Sequence, residues 1–379
     1  MREGKRMKYK LIGKTGIKLS RLGFGCMRFP EMMKDGKSVV NDELTFPLLR
    51  RAYELGINYF DTAWGYCNGD SQRAVGAALH DVRDKVYIST KLPMWEVKKA
   101  SDFDYLLDEA LRRLDTDYID FYHFHSVNIT QWQKIKELKL LDKMERAKAD
   151  GKIRHISFSY HDVPELICEL VDTGMFESLL CQYNLIDRVN EKSMHYAVEH
   201  GVGVNVMGPV GGGNITMGGD DLLHKFRTRA ESAAELAFRF VLGNDDVTTA
   251  LSGMSTMEML EENVRYIERL DTLDDEERTA LLTQNDAFLK LSKLYCTGCG
   301  YCEVCPKGII PQETLRLYNR HAVWGLDEAV KKAWPEIGRE HTHPRECVGC
   351  GLCAQKCPQK IEIPKMLEKA VAELDEFVK

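Results

Sequence analysis

Eight short apolar runs separated by helical patterns predict an α/β fold whose parallel strands close into a (β/α)8 TIM barrel. A cysteine-rich segment behind them predicts a small second domain. Three observations carry this expectation. The runs are rich in β-branched and aromatic residues and recur through the first ~290 residues. The segments between them repeat apolar residues at helical spacing. Of 12 cysteines, 8 fall between Cys296 and Cys357, a window of 62 of the 379 residues.

The strands are expected at Arg21–Phe24, Asn58–Ala63, Val86–Leu92 and Tyr118–His125. Four more follow at Ile153–Ser159, Ser178–Asn184, Val202–Met207 and Val247–Ser252. The clearest helix is Asp102–Leu114, where Phe103, Leu107, Ala110, Leu111 and Leu114 form one stripe. Ser101 is its expected N-cap, with Asp102 and Asp104 at the positive end of the dipole and Arg112 and Arg113 at the negative end. A second helix is expected from about Gln131 to Asp150, stopped by Gly151 as the C′ glycine. An open, doubly wound sheet uses the same alternation. It usually shows G-x-G-x-x-G after its first strand, whereas Gly23-Phe24-Gly25 is followed by Arg28 at the third glycine position.

Composition narrows the function classes. The chain is 44% hydrophobic and 29% charged, which excludes collagen-like and low-complexity types. No apolar run is long enough to cross a bilayer. With 52 Lys and Arg against 58 Asp and Glu, the net charge is −6 and no basic block invites nucleic acid. Met1–Lys10 holds charge but no apolar leader segment, so a reducing cytoplasmic setting is expected. There, clustered cysteines read as metal thiolates and not as disulfides.

A barrel places its chemistry at the C-terminal strand ends. Asp61, Tyr66, Lys91 and His125 all fall there. Tyrosine is a weak acid with a pKa of ~10. An ammonium beside the phenol favours the phenolate and brings that acid toward working pH. A carboxylate keeps the ammonium charged, and a histidine opposite can orient a carbonyl. The four together could protonate a carbonyl oxygen that receives hydride. Each residue alone has a plainer reading as rim, loop or core. His123 shares the His125 face but lies one layer deeper, which suits packing. Cys26 and Cys67 lack partners at ligand spacing and read as packing residues.

Asp61-Thr62-Ala63 with Tyr66, Ser89-Thr90-Lys91 and the run Tyr118–His125 resemble the aldo/keto reductases. So do the opening Leu11–Ser20 and the closing Glu262-Asn263, and the resemblance spans Lys8 to about Arg269. It implies Tyr66 as general acid, Lys91 and Asp61 as its modulators, and His125 as the carbonyl-orienting group. It also implies a nicotinamide cofactor, NADP(H) or NAD(H), across the barrel mouth. Gly25, Cys26 and Met27 would flank the nicotinamide, and Ser159 and Gln182 would contact its carboxamide. Met207 and Gly208 lie on the strand-7 side, while Ser252, Gly253, Met254, Ser255, Glu262 and Asn263 would line the adenosine half.

Four positions depart from the family pattern. Tyr160 follows Ser159 where many members have asparagine, and Met207 stands where a tyrosine often stacks on nicotinamide. Gly253 and Met259 occupy positions that often carry a cation for the 2′-phosphate, with Glu258 nearby and no local cation in replacement. NADPH is therefore expected to bind no tighter than NADH. Gly211-Gly212-Gly213 reads either as a pyrophosphate nest or as a hinge for the loop reaching Ala230.

Cys296, Cys299, Cys302 and Cys305-Pro306 read C-x2-C-x2-C-x2-C-P, and Cys347, Cys350, Cys353 and Cys357-Pro358 read C-x2-C-x2-C-x3-C-P. The second matches the bacterial ferredoxin run, whose fourth cysteine crosses to the other cluster. Crossing predicts Cys296, Cys299, Cys302 and Cys357 on one [4Fe-4S] cluster, and Cys347, Cys350, Cys353 and Cys305 on the other. Paired zinc sites would use separated C-x2-C pairs instead. A helix is expected around Leu326–Trp334 between the runs.

The whole chain resembles an aldo/keto reductase subfamily with a ferredoxin-like α+β domain. Gly23–Arg28, Gly208–Gly212 and Leu251–Met254 look like its signatures. The expected division is residues 1–285 for the barrel and 286–379 for the cluster domain. Three functions compete. One is carbonyl reduction, or alcohol oxidation, on a small substrate. Another is a reductase coupled through the clusters, and a flavin, to ferredoxin or another redox protein. The last is a weakly catalytic nucleotide-binding regulator.

Overall fold

The computed structural model describes residues 7–185, 187–213, 215–216, 228–270, 273–289, 296, 298, 300–322 and 327–378. Eight parallel strands close in the expected barrel. They are β1 (Leu22–Gly25), β2 (Tyr59–Asp61), β3 (Tyr87–Leu92) and β4 (Ile119–Val127). β5 (Ile153–Tyr160), β6 (Ser178–Gln182), β7 (Gly203–Met207) and β8 (Val247–Ser252) complete it. Each pairs with its sequence neighbours, and β8 returns to β1 through Leu251 opposite Gly23 and Ser252 opposite Phe24. Nearly every strand residue is buried, as expected for strands enclosed by helices outside and side chains within.

The interior is filled from alternate strands. Tyr59 of β2, Phe121 of β4, Leu180 of β6 and Leu251 of β8 pack together. An antiparallel hairpin of Tyr9–Leu11 with Lys18–Ser20 adds Ile12 and Leu19 to that cluster. The approach is close: a Cβ on Gly203 would stand 2.1 Å from Ile12 Cγ1. Glycine at the start of β7 is what lets the hairpin seat. A second hairpin, Glu31–Lys34 with Lys37–Val40, leads into helix α1 (Asp42–Glu54).

Helix α2 is Ser71–Leu79, and α3 spans Asp102–Leu114 with the expected stripe buried, except that Leu106 replaces Leu111 in the wholly covered set. Ser101 does not cap α3 through its side chain. Instead the Asp102 carboxylate accepts the Lys98 and Lys99 N–H groups at 2.8 and 3.0 Å. The acid one residue later thus ties the preceding turn to the start of the helix.

The expected single helix over 131–150 is two helices, α4 (Ile129–Glu137) and α5 (Leu140–Ala149). Lys139 between them is left-handed, with φ +51. The reason is a phase shift in the apolar residues. Trp132 and Ile135 are buried on α4, and a continuous helix would next bury 139, 142 and 146. Leu140, Met144 and Ala147 are buried instead, each one or two positions late. A single left-handed residue absorbs the offset. The end was foreseen correctly: Gly151 has φ +76, and Gly151 and Lys152 donate to the Lys148 and Ala147 carbonyls, a Schellman closure.

The chain packs as two units. The first comprises Met1–Tyr183, Val189–Pro209 and Val241–Thr272 and contains all eight strands. The second comprises Asn184–Arg188, Val210–Phe240 and Leu273–Lys379. Its C-terminal part holds helices Pro311–Ala322, Asp327–Ala333, Leu352–Lys356 and Ile363–Val378, and no strand among the described residues. The expected helix near Leu326–Trp334 is the second of these; Leu326 itself lies outside the described residues. Leu317, Tyr318, Val330, Trp334, Ala370 and Leu374 form a local core.

At the N-terminal end of β4, wholly buried Asp120 accepts from Arg83, Arg154 and the Ile88 N–H, at 2.8, 3.0 and 2.9 Å. The two guanidiniums sandwich the Tyr118 ring at 4.0 and 3.7 Å. Asp120→Ala would leave Arg83 almost buried with its charge uncompensated, a cost of about 3–5 kcal/mol. We expect a clearly lower urea midpoint for the barrel. An unchanged midpoint would show that solvent screens the cluster.

Candidate functional site

The strand ends place the sequence-predicted residues in two arcs around one mouth. β2, β3 and β4 end at Asp61, Leu92 and Val127 and carry Asp61, Lys91 and His125. β5, β6, β7, β8 and β1 form the remaining arc and end with Ser159-Tyr160, Gln182, Met207, Ser252 and Gly25.

In the first arc Lys91 is the hub. Its Nζ donates to Asp61 Oδ2 at 2.7 Å, the Thr62 carbonyl at 2.8 Å and Tyr66 Oη at 3.2 Å. The other oxygen of Asp61 accepts from Ser89 Oγ at 2.6 Å. Asp61 and Lys91 are buried. An ammonium has three protons, and all three are directed. Because Lys91 can only donate, Tyr66 Oη is the acceptor in that bond, and the phenol proton must point elsewhere. Tyr66 opens a tight turn in which Cys67 and Asn68 have φ +50 and +54. The Cys67 thiol lies against the Cys26 and Met27 carbonyls.

His125 faces Tyr66 edge-on, with ring centroids 6.2 Å apart. Burial first, then the Lys91 ammonium and the rings of His161 and His123, hold His125 well below the usual histidine pKa. It is therefore a neutral ring with one N–H to give. β4 is bulged between Phe124 and Val127, where Ser126 has φ +54. The Ser126 N–H is held by Ser159 Oγ at 2.8 Å, so Ser159 braces the residue next to His125. His123, opposite Lys91 in the β3–β4 register, is fully buried, in keeping with its expected packing role.

In the second arc, Gln182 is buried and its carbonyl accepts from Asn190 at 3.0 Å. Gly208, with φ +64, brings backbone against the Gln182 amide. Ser252 Oγ accepts from Asn263 Nδ2 at 3.1 Å, which joins two expected adenosine-side residues. Ser255 Oγ lies against Met259 Sδ, and Met254 is buried. Glu262 is exposed and beside Arg265 at 3.8 Å. Gly25, Cys26 and Met27 follow β1 beside these residues, and the Cys26 N–H donates to the Asp61 carbonyl at 2.8 Å. Burial raises the Cys26 thiol pKa and pushes that of Cys67 up to about 12, so both are inert packing groups. Gly211–Gly213 form a short turn with φ of +60, +65 and +91; residues 217–227 of the following loop lie outside the described set.

Sequence reasoning left two neighbours unplaced. Arg28, in the turn after β1, packs its stem against Gly253, with Cδ 3.6 Å from a Cβ built there. Neither Gly253 nor Met259 itself carries a cation; Arg28 comes from a turn distant in sequence but adjacent in the barrel. Exposed Trp95 lies tilted against His125 with ring centroids 5.0 Å apart, and an aromatic four residues after Lys91 was its only signal.

The cysteines line two cavities of the second unit. Cys305, Cys347, Cys350 and Cys353 line one. Cys296, Cys302 and Cys357 line another. Cys299 lies outside the described residues. The grouping is the one that crossed ligation would need. Zinc would need sulfurs converging to ~2.3 Å around one point. Among the described residues no three Cys, His, Asp or Glu side chains do so. The all-thiol donor set fits a larger inorganic core.

A model of the aldo/keto reductase family matches residues 21–283, and a 4Fe-4S dicluster domain matches residues 295–362. L-Galactose dehydrogenase of Arabidopsis thaliana is 26% identical over 312 residues, covering 75% of this chain and 95% of that protein. An NADH-specific methylglyoxal reductase of Escherichia coli is 26% identical over 314 residues, covering 68% and 93%. The solved holo form of an aldo-keto reductase from Bacillus halodurans aligns with TM-score 0.64 and 28% identity, over 73% of this chain and 96% of that one.

The buried histidines yield a pH expectation. Burial, aided by Lys91, lowers His123 to about 4. The unfolded chain takes up protons below ~6.5 while the native site does not, so stability is lost as pH falls from there. Between pH ~7.5 and ~5, His123 alone removes about 2 kcal/mol, and His125 acts in the same direction. Urea midpoints should drop over that window, and the drop should shrink in His123→Phe. An equal drop in the variant would exclude His123 as its source.

Proposed function

The chain belongs to the aldo/keto reductase family, and we propose that it interconverts a small aldehyde or ketone with its alcohol, using a nicotinamide dinucleotide. The carrying observation is the three-way bonding of Lys91 to Asp61, the Thr62 carbonyl and Tyr66. The nicotinamide, when bound, supplies or accepts the hydride at the carbonyl carbon. Tyr66 Oη then delivers its proton to the carbonyl oxygen. Lys91 stabilises the phenolate left behind, and Asp61, fixed by Ser89, keeps that ammonium charged. Neutral His125 donates its N–H to the same oxygen and orients it. Trp95, tilted against His125, offers an apolar wall to the substrate.

Residues of the second arc would hold the cofactor. Ser159 and Gln182 suit the carboxamide, Gly25 to Met27 and Met207-Gly208 the nicotinamide ring, and Ser252–Ser255 with Asn263 the adenosine half. Exposed Glu262 would stand at its rim. Arg28 supplies positive charge to the phosphates. Met259 and Glu258 make NADPH no better a ligand than NADH. The naming of an Escherichia coli relative as NADH-specific supports this.

The dicluster domain would hold two [4Fe-4S] clusters, one on Cys296, Cys299, Cys302 and Cys357, the other on Cys305, Cys347, Cys350 and Cys353. Such clusters exchange single electrons when bound. Family matches that end at 283 and resume at 295 support a division near 285/286. A second reading has electrons arriving from a ferredoxin or another redox protein, with a flavin coupling them to the substrate. Crossed ligation of two cavities favours keeping it, because one site would suffice to staple a domain.

Tyr66→Phe should lower kcat for carbonyl reduction about 10²–10⁴-fold while nucleotide binding persists. Reduction that survives in Tyr66→Phe would sink the proton-donor role. NADH and NADPH dissociation constants should be similar, and a hundredfold NADPH preference would overturn that point. Anaerobically purified protein should carry about eight irons and eight sulfides per chain; two zincs without sulfide would remove the clusters from this reading.

A further inference from the structure

The two cysteine-lined cavities differ in their side chains. Around Cys305, Cys347, Cys350 and Cys353 the other lining residues are Ile309, Pro311, Val348, Leu352, Pro364 and Leu367, with Gly351. Among the described residues, no polar side chain lines that cavity beyond the cysteines. The cavity of Cys296, Cys302 and Cys357 also has Gln312 on its wall. Gln312 Oε1 lies 3.2 Å from Cys302 Sγ, and its amide nitrogen meets the Glu303 carboxylate. Arg316, one turn further along the same helix, lies over the loop between Cys296 and Cys302. Its Cδ, Nε and Nη1 stand 3.1, 3.6 and 3.7 Å from a Cβ built on Gly298.

A thiol can donate to the Gln312 carbonyl oxygen, but a metal-bound thiolate is an acceptor only. Two acceptors at 3.2 Å repel, so cluster binding favours the amide turned over, with Nε2 on sulfur. The cost of that turn is small, because Glu303 is exposed and free to swing into water. Arg316 is half-buried and adds a cation on that side, with its Nε out of water. The opposing charge on Glu303 is exposed and screened. Among the described residues, backbone donors reach a cysteine of each cavity. The Gly298 N–H points at Cys296 Sγ at 3.4 Å, and the Ala354 N–H serves Cys353.

Reduction adds one negative charge to a cluster, so donors and cations beside its sulfurs favour the reduced state. We propose that Gln312 and Arg316 selectively raise the reduction potential of the cluster on Cys296, Cys299, Cys302 and Cys357, so that the two clusters are electrostatically inequivalent. The proposal rests on the two-cluster reading above. Gln312 and Arg316 act through the ligand sulfurs and touch no substrate, which makes them positioning and tuning residues.

The test is a redox titration of the anaerobic full-length holoprotein, followed by visible absorbance and electron paramagnetic resonance, with iron and sulfide measured on each sample. Gln312→Leu combined with Arg316→Met should lower one midpoint only. The expected change is about tenfold in its reduced-to-oxidised ratio, equivalent to ~59 mV for a one-electron couple. Arg316→Lys, which keeps the charge, should restore most of the Arg316 share. Fully loaded variants with both midpoints unmoved, or with both moved equally, would overturn the tuning role while leaving the clusters in place. Wild-type protein that carries zinc and no sulfide would overturn it together with the reading beneath it.

Discussion

A buried ammonium is the constraint around which the mouth of the barrel is arranged. Lys91 is out of water, and an unpaired charge there would cost several kcal/mol. Three acceptors must therefore converge on one nitrogen. They come from the end of β2, from the backbone after it and from the turn that follows: Asp61, the Thr62 carbonyl and Tyr66. The β2–β3 register places Asp61 opposite Ser89, and Lys91 lies on the same face two residues on. A slip by one residue would turn Lys91 outward and leave Asp61 without its cation. The register that closes this part of the barrel is thus also the register that brings Lys91 to Tyr66, as the proposed proton transfer needs.

Much of this was legible in the sequence, for a physical reason. Strand ends in a parallel barrel all face one way, so chemistry-bearing residues at the ends of successive apolar runs must meet. Asp61, Lys91 and His125 were found by that rule alone, and the eight runs match the strands to within a residue or two. What escaped were contacts made between elements remote in sequence. Arg28 reaches Gly253 only because the first strand pairs with the last. The break at Lys139 is of another kind: the offset between Ile135 and Leu140 is visible in the sequence, but polar residues on the exposed face mask it. Ser159 shows a third limit. Its candidate role toward a cofactor could be named, whereas its bond to the Ser126 N–H depends on a bulge that no local pattern announces.

The cysteines were easier to read than the barrel loops. Their spacing is short-range information, since a three-residue pitch with intervening glycine wraps a chain around a core whatever the surrounding fold. Cys305 lines the cavity of the second run, and Cys357 that of the first, the arrangement that crossing would need. Spacing is silent about everything that approaches from outside the runs. Gln312 and Arg316 come from the helix Pro311–Ala322, and nothing in the cysteine pattern signals which run that helix will cover.

The proposed chemistry also bears on why there should be two cavities. A hydride carries two electrons, while a [4Fe-4S] cluster exchanges one. A single cluster could never match a carbonyl reduction in electron count, whereas a pair can hold the equivalent of one hydride. A purely structural role has no such reason to prefer two, because either core, already packed with Ile309, Ile361, Ile363 and Leu367, needs one staple at most. Nor would a staple need polar dressing on one cavity and an apolar wall on the other. Such an asymmetry does matter for two one-electron sites, because it separates their potentials and gives electron flow between them a direction. The proposed stoichiometry and the wall chemistry both favour the proposed redox role, and neither depends on the identity of the carbonyl substrate.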